Sequence, residues 1–230
     1  MTFSAGFRTT KRRHPVRVSY SALLRVTDDD RYVLFDSPKR PGAYGPPGGV
    51  FKIHPPALRL LESWGFQPDR TTDGAERMRG DLRGILPVGA LRSFQAWFAT
   101  GTYRETAAEC LLRELREELV EVGLDAAGPL TGSLVFTSVR TVLEGPTAVP
   151  GKDYLQVRRF DVHELALLDP AAVRLRRELV EAGRDDSCAG VICANYGDLA
   201  HGRLGRALIA PQSAFLAGPA RLGPDLPPVR

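Results

Sequence analysis

Three carboxylates, Glu114, Glu117 and Glu118, stand at i, i+3 and i+4 in a strongly helical stretch. That spacing gathers them on one helix face. Like charges so placed repel one another and weaken the helix. A hard divalent cation would relieve the repulsion, and an all-oxygen set suits Mg2+ or Mn2+. Arg113 lies at i±4 from Glu109 and Glu117 and can brace the cluster. The plainer alternative is a solvated Glu/Arg face, which an acidic triplet alone usually is.

Other residues offer less. Lys39, Arg40 and Lys52 flank Gly48-Gly49 and suit phosphate oxygens as well as they suit ordinary surface charge. Tyr44 is a loop aromatic, open to base stacking or to local packing. Trp64, Trp97 and Phe98 read as a small core rather than a ligand cage. Cys188 and Cys193 lack the short spacing of a zinc pair, and His14, His54, His163 and His201 are scattered. No motif supports a Ser or Cys nucleophile.

The elements that position the carboxylates follow from pattern. Residues 104–121 carry Ala108, Leu111, Leu112, Leu115, Leu119 and Val122 on one stripe, with Gly123 as the stop. Residues 16–27 and 31–36 read as strands joined in a hairpin by the polar turn Asp28-Asp29-Asp30. Residues 37–49, with four prolines and four glycines, read as an extended loop. Short strands are expected at 50–53 and 81–86, helices at 55–66, 91–98 and 170–182, and a loop at 67–80. Two further strands, 130–143 and 153–162, flank a Gly/Pro loop, and short apolar runs follow at 189–194 and 206–210. Such alternation indicates an α/β or α+β domain with a mixed sheet.

Composition bounds the rest. The chain has 230 residues, 43% hydrophobic and 25% charged, which is ordinary for a globular protein. No apolar run is long enough for a membrane span. Three cysteines make no disulfide framework, so a reducing cytoplasm is the expected location. Six bases and no acid fall in residues 1–27; with them set aside from the net +4, the remainder is net −2. The basic charge therefore belongs to an N-terminal arm, read as a solvated flexible tail, with contact to nucleic acid or an anionic surface, or a transit-peptide-like segment, as the alternatives. Nucleic acid is disfavoured as a partner for a net acidic body.

Glu105, seven intervening residues, and then Arg113-Glu114-Leu115-x-Glu117-Glu118 resemble the core of the Nudix box, G-x5-E-x7-R-E-U-x-E-E-x-G-U. Every fixed position from Glu105 to Glu118 matches. Two departures stand out. Ala99 occupies the place of the family glycine, for which Gly49 is the counterpart if an insertion splits the box. Val120 replaces the closing glycine. A split box with Gly-Gly-Val-Phe-Lys, Asp81-Leu82-Arg83, Trp97-Phe98 and Tyr103-Arg104-Glu105 is similar to the SMODS-associated Nudix group, which is tied to nucleotide-signalled antiviral defence.

The resemblance implies a Nudix-like α/β/α sandwich with a mixed sheet and an insertion before the catalytic helix. The layout would be a basic arm (1–14), a Nudix-like domain (15–217) with the insertion at 50–104, and a flexible tail (218–230). It implies that Glu114, Glu117 and Glu118 hold Mg2+ or Mn2+, with Glu117 and Glu118 central to catalysis. Glu105 would join through water or hold Arg113, and Arg113 would orient the carboxylates. Gly48 and Gly49 would let backbone approach the helix and a diphosphate, with Lys39, Arg40 and Lys52 meeting phosphates. Glu144 and Asp153 are candidates for a distal base. The implied activity is Mg2+-dependent hydrolysis of a nucleotide or nucleoside-diphosphate-linked compound, cleaving a phosphoanhydride bond. The alternative is a non-catalytic or slow nucleotide-binding sensor. The expected partner is a small nucleotide ligand, with a homodimer admissible. The insertion, with both tryptophans and Arg59, Arg70, Arg77, Arg79, Arg83 and Arg92, is either a lid over the ligand or a small subdomain with its own core.

Overall fold

The computed structural model describes residues 14–69 and 80–227. Residues 1–13 of the basic arm lie outside the described residues, as do Arg70, Arg77 and Arg79; two of the six bases assigned to the arm, Arg17 and Arg25, belong instead to the first strand, where they pair with Asp69 and Glu164. The chain begins with β1 (Pro15–Arg25), β2 (Thr27–Asp28), β3 (Arg31–Ser37), β4 (Arg40–Gly45), β5 (Gly48–Val50), α1 (Pro55–Ser63), β6 (Gln67–Pro68) and β7 (Arg83–Pro87). Then come α2 (Leu91–Thr100), α3 (Ala107–Glu121), β8 (Phe136–Ala148), β9 (Leu155–Leu165) and α4 (Pro170–Arg184). The last elements are β10 (Val191–Asn195), α5 (Tyr196–His201), β11 (Arg203–Leu204), β12 (Ala207–Ile209) and α6 (Ala214–Ala217). Among the described residues, no helix is long and apolar enough to cross a membrane.

The chain forms two compact units. The first takes Met1–Ser21, Val50–Thr106 and Leu143–Arg159. Here β7 runs antiparallel to the first half of β1, from Pro15 opposite Pro87 to Ser19 opposite Arg83, and β6 pairs with β7. The core is aromatic. Tyr20 meets the edges of Phe94 and Phe98 at centroid distances of 5.2 and 4.7 Å, and Phe51 meets Phe98 at 5.2 Å. Each such pair adds about 0.5–1.5 kcal/mol beyond the area it buries. The Arg104 guanidinium lies 3.8 Å from the Phe98 ring centre, and its Nε donates to the Phe98 carbonyl. Phe94, Trp97 and Phe98 of α2 are all buried in this core, while Trp64 is half-buried.

The second unit takes Ala22–Gly49, Ala107–Val142 and Phe160–Arg230. Its sheet has the order β10-β3-β4-β12-β11, with β2 paired to β3. It is mixed: β12 runs parallel to β4, while β10 and β4 run antiparallel to β3. Leu34, Val162, Ala194, Phe215 and Leu216 form its fully buried centre, against which Leu222 packs. Helix α3 buries Leu111, Leu115 and Leu119 on one stripe, and buries Cys110 one turn before Glu114 on the glutamate side. Gly123 takes a φ of +79° just beyond it, and the Leu124 N–H closes onto the Leu119 carbonyl. This left-handed stop replaces the glycine missing at Val120. Helix α4 starts where Pro170 suggests, capped by the Asp169 carboxylate on the Ala172 N–H.

Four local expectations fail. Residues 16–27 and 31–36 do not form a hairpin: β1 belongs to the first sheet, and only Thr27 and Asp28 pair with β3. The expected turn is present at Asp29-Asp30, but the pairing ends at the buried Val26, whose carbonyl accepts from the Val33 N–H. Residues 37–49 are not a loop, because β4 and β5 lie within them. Ala43 and Tyr44 are buried there, and burial outweighs the turn-forming composition. The strand expected from residue 130 begins only at Phe136, because Asp125–Ser133 are 3-10 turns with Pro129 among them. The turn residues Gly145 and Pro146 fall inside β8.

Candidate functional site

The Gly48-Gly49 segment of the second unit lies directly against α3. Gly48 has a φ of +125°, and its N–H donates to Glu118 Oε2 at 2.8 Å. A side chain there would place Cβ 2.3 Å from the Ala22 carbonyl oxygen, so glycine is required twice over. At Gly49 a Cβ would fall 2.1 Å from the carboxyl carbon of Glu114. The Cys110 thiol, one turn back on α3, points to the Gly49 carbonyl at 3.4 Å. The start of β5 thus touches two of the three clustered glutamates, through a backbone donor and a missing side chain.

Arg113 braces the same face. Its Nη1 is 2.5 Å from Glu114 Oε1 and 4.0 Å from Glu117 Oε1. Glu118 remains partly exposed as a residue, yet the protein packed around its carboxylate raises its pKa well above the usual range. Burial is the main cause; the charges of Glu114, Glu121 and Glu117 add to it, and the Gly48 N–H works against it. A cation would reverse the like-charge part of that penalty. The donor set is all oxygen and fits a hard divalent ion in kind. It is not a ready-made cage: among the described residues no three candidate ligands gather as a metal-holding group. Glu114 instead faces Arg113.

A cavity of about 420 Å3 opens beside Glu118 and Gly48. Its walls come from β3 and β4 (Phe35, Asp36, Arg40, Gly45), the turn after β12 (Pro211, Gln212) and the C-terminal segment (Asp225, Leu226). Arg40 is therefore placed at the cavity, whereas Lys39 next to it is exposed.

The remaining candidates fall elsewhere. Glu105 and Lys52 belong to the first unit. Glu105 is buried at 7% exposure; its Oε2 accepts from the Lys52 N–H at 2.8 Å, and its own N–H donates to the Lys52 carbonyl at 2.9 Å. Glu144 is paired with Arg158 at 3.0 Å in the same unit, and Asp153 is exposed. Tyr44 is packed rather than presented: its hydroxyl donates to the Ala189 carbonyl, and burial, with Asp36 and Cys188 nearby, raises its pKa.

The family model for the SMODS-associated NUDIX domain matches residues 15–217. The chain belongs to that family. No curated protein matches it. The Nudix-like α/β/α fold with mixed sheets is thus the fold of this chain. Nudix domains are generally nucleotide-related hydrolases that use divalent metals. The cavity walls on β3 and after β12 are the residues that sequence reasoning missed. Phe35, Gln212 and Asp225 lie in no motif, and nothing in their spacing relates them to the glutamates.

Proposed function

We propose that the protein is a Mg2+- or Mn2+-dependent hydrolase that cleaves a phosphoanhydride bond in a nucleotide or nucleoside-diphosphate-linked compound. The observation that carries this reading is the contact of Gly48-Gly49 with Glu114 and Glu118 at the mouth of a cavity. Glu114, Glu117 and Glu118 would hold the divalent ion. The chemistry such an ion supplies is neutralisation of phosphate charge and activation of water. Arg113 keeps Glu114 and Glu117 aligned and tempers their repulsion. The Gly48 N–H fixes one oxygen of Glu118, so its other oxygen points in a defined direction. Arg40 offers a fork for phosphate oxygens at the cavity. Glu105 acts on Lys52 by fixing the backbone on both sides of it, a positioning role. The three free cysteines accord with a cytoplasmic setting, and the context proposed for the activity is nucleotide-signalled antiviral defence, as the resemblance to the SMODS-associated group implies.

A second reading is a nucleotide sensor that turns over slowly or not at all. It is favoured by the engagement of Glu114 with Arg113 and by the absence, among the described residues, of three gathered metal ligands. One experiment separates the two. Nucleoside triphosphates, dinucleoside polyphosphates, ADP-ribose-like diphosphates and cyclic oligonucleotides are incubated with Mg2+, with binding and product followed together. Product that disappears in Glu117→Gln/Glu118→Gln supports the hydrolase; tight binding without product supports the sensor.

A further inference from the structure

We propose that the cavity of the second unit takes the nucleoside end of the ligand, a neutral group bearing hydroxyl and amino donors, and that Gln212 is the residue that reads it. The inference rests on the reading that a diphosphate lies at Glu118. Its first support is charge. The walls carry Asp36 and Asp225 in addition to Glu118, against Arg40 in the lining and Arg221, which pairs with Asp225 at 3.0 Å. The Asp36 carboxylate would disfavour a further phosphate on its side of the cavity. A group that is neutral and donates hydrogen bonds is favoured there, and a ribose with its base is such a group. The second support is surface type. The half-buried Pro211 and Leu226 offer apolar area beside these acceptors, with the buried Phe35 and Pro46 also in the lining, the mixture that small-molecule sites use for orientation. A volume of about 420 Å3 falls within the range of roughly 300–1,000 Å3 typical of such sites.

The third support is Gln212 itself. Strand β12 lies parallel to β4 with Ile209 opposite Tyr44, and the Ala210 N–H donates to the Tyr44 carbonyl at 2.7 Å. This pairing delivers Pro211–Ser213 over Gly45 as a short 3-10 turn. The Gln212 amide nitrogen lies 3.6 Å from where a Gly45 Cβ would be, so the absent side chain leaves room in front of the amide. Among the described residues the amide has no hydrogen-bond partner. An amide offers donors and an acceptor side by side, which matches the edge of a nucleobase. Removing it should therefore alter discrimination between nucleosides and leave diphosphate binding alone.

The test uses the full-length protein with Mn2+ and probes that resist hydrolysis: methylene-bridged analogues of ADP, GDP, CDP and UDP, and methylenediphosphonate as the probe without a nucleoside. Wild type should bind at least one nucleoside analogue about tenfold or more tightly than methylenediphosphonate. Gln212→Ala should lose most of that preference, about tenfold for one or two hydrogen bonds, with methylenediphosphonate affinity unchanged. Gly45→Ala is the second variant. Its methyl would sit at ordinary contact distances, 3.5 Å from Ala210 Cβ and 3.6 Å from the Gln212 amide, so the fold should survive while the space narrows. Equal affinity of wild type for all five probes, or a full preference retained by both folded variants, overturns the inference while leaving the diphosphate reading intact. Nucleoside binding that depends on Gln212 but not on Mn2+ or Glu118 upholds the inference and removes the hydrolase reading. Failure of every probe to bind overturns both.

Discussion

Gly48 and Gly49 are neighbours, yet alanine should affect them in opposite ways. At Gly48 the new Cβ meets backbone, 2.3 Å from the Ala22 carbonyl oxygen and 3.1 Å from the Leu23 Cα, with φ held at +125°. Neither obstacle can swing away. Backbone strain of about 1–3 kcal/mol and overpacking of about 1–3 kcal/mol together give roughly 4 kcal/mol. For a chain of this size that lowers Tm by about 8–16 °C. At Gly49 the new Cβ meets only the end of the Glu114 side chain, at 2.1–2.6 Å, and that carboxylate can rotate out of the way. The loss is its partly exposed pairing with Arg113, under about 1 kcal/mol, offset by a reduced unfolded-state entropy of about 0.4–1 kcal/mol. Gly49→Ala should therefore melt within a few degrees of wild type but bind Mn2+ at least about tenfold more weakly, because Glu114 is displaced. Thermal unfolding and Mn2+ titration of both variants are the assays. A Gly49→Ala protein that melts as low as Gly48→Ala refutes the claim that only a movable side chain is in the way. Unchanged Mn2+ affinity in a folded Gly49→Ala protein refutes Glu114 as a ligand. The cycle with Glu114→Ala checks the mechanism: without Glu114, adding alanine at 49 should have no further effect on Mn2+ binding.

Glu117→Gln/Glu118→Gln should abolish Mn2+ binding while retaining the fold; equal titration curves for variant and wild type would remove both residues from the site. The raised pKa of Glu118 means that the folded, metal-free protein holds a proton the unfolded chain releases near pH 4.5, so stability should decline as pH rises from about 4.5 through the raised value. Glu118→Gln should flatten that decline, and urea unfolding in chelator at a series of pH values is the check; a parallel slope in variant and wild type would assign the pH dependence elsewhere. Trp97→Ala should cost about 3–5 kcal/mol, since Trp97 is 6% exposed and packs on Phe94. A stable Trp97→Ala protein with altered ligand binding would instead support the lid.

The sequence showed α3 and its glutamate face because both follow from local period: the leucine stripe and the i, i+3, i+4 carboxylates lie within one segment. It showed Gly123 as the stop for the same reason, as the φ of +79° there is a local demand. It concealed β4, whose Arg-Pro-Gly-Ala-Tyr-Gly reads as a turn and is a strand only because β3 and β12 flank it. The cavity was concealed more thoroughly. Its walls join residues near 36, 45, 118, 212 and 225, and no local pattern announces a meeting across that separation. The diphosphate chemistry proposed for this chain rests on one helix and the strand beside it, and so a motif can carry it. The proposed selectivity rests on side chains that only the sheet order β3-β4-β12 brings together. A Nudix box can therefore suggest a reaction class, whereas a reading of the substrate has to start from residues such as Gln212, which the box does not contain.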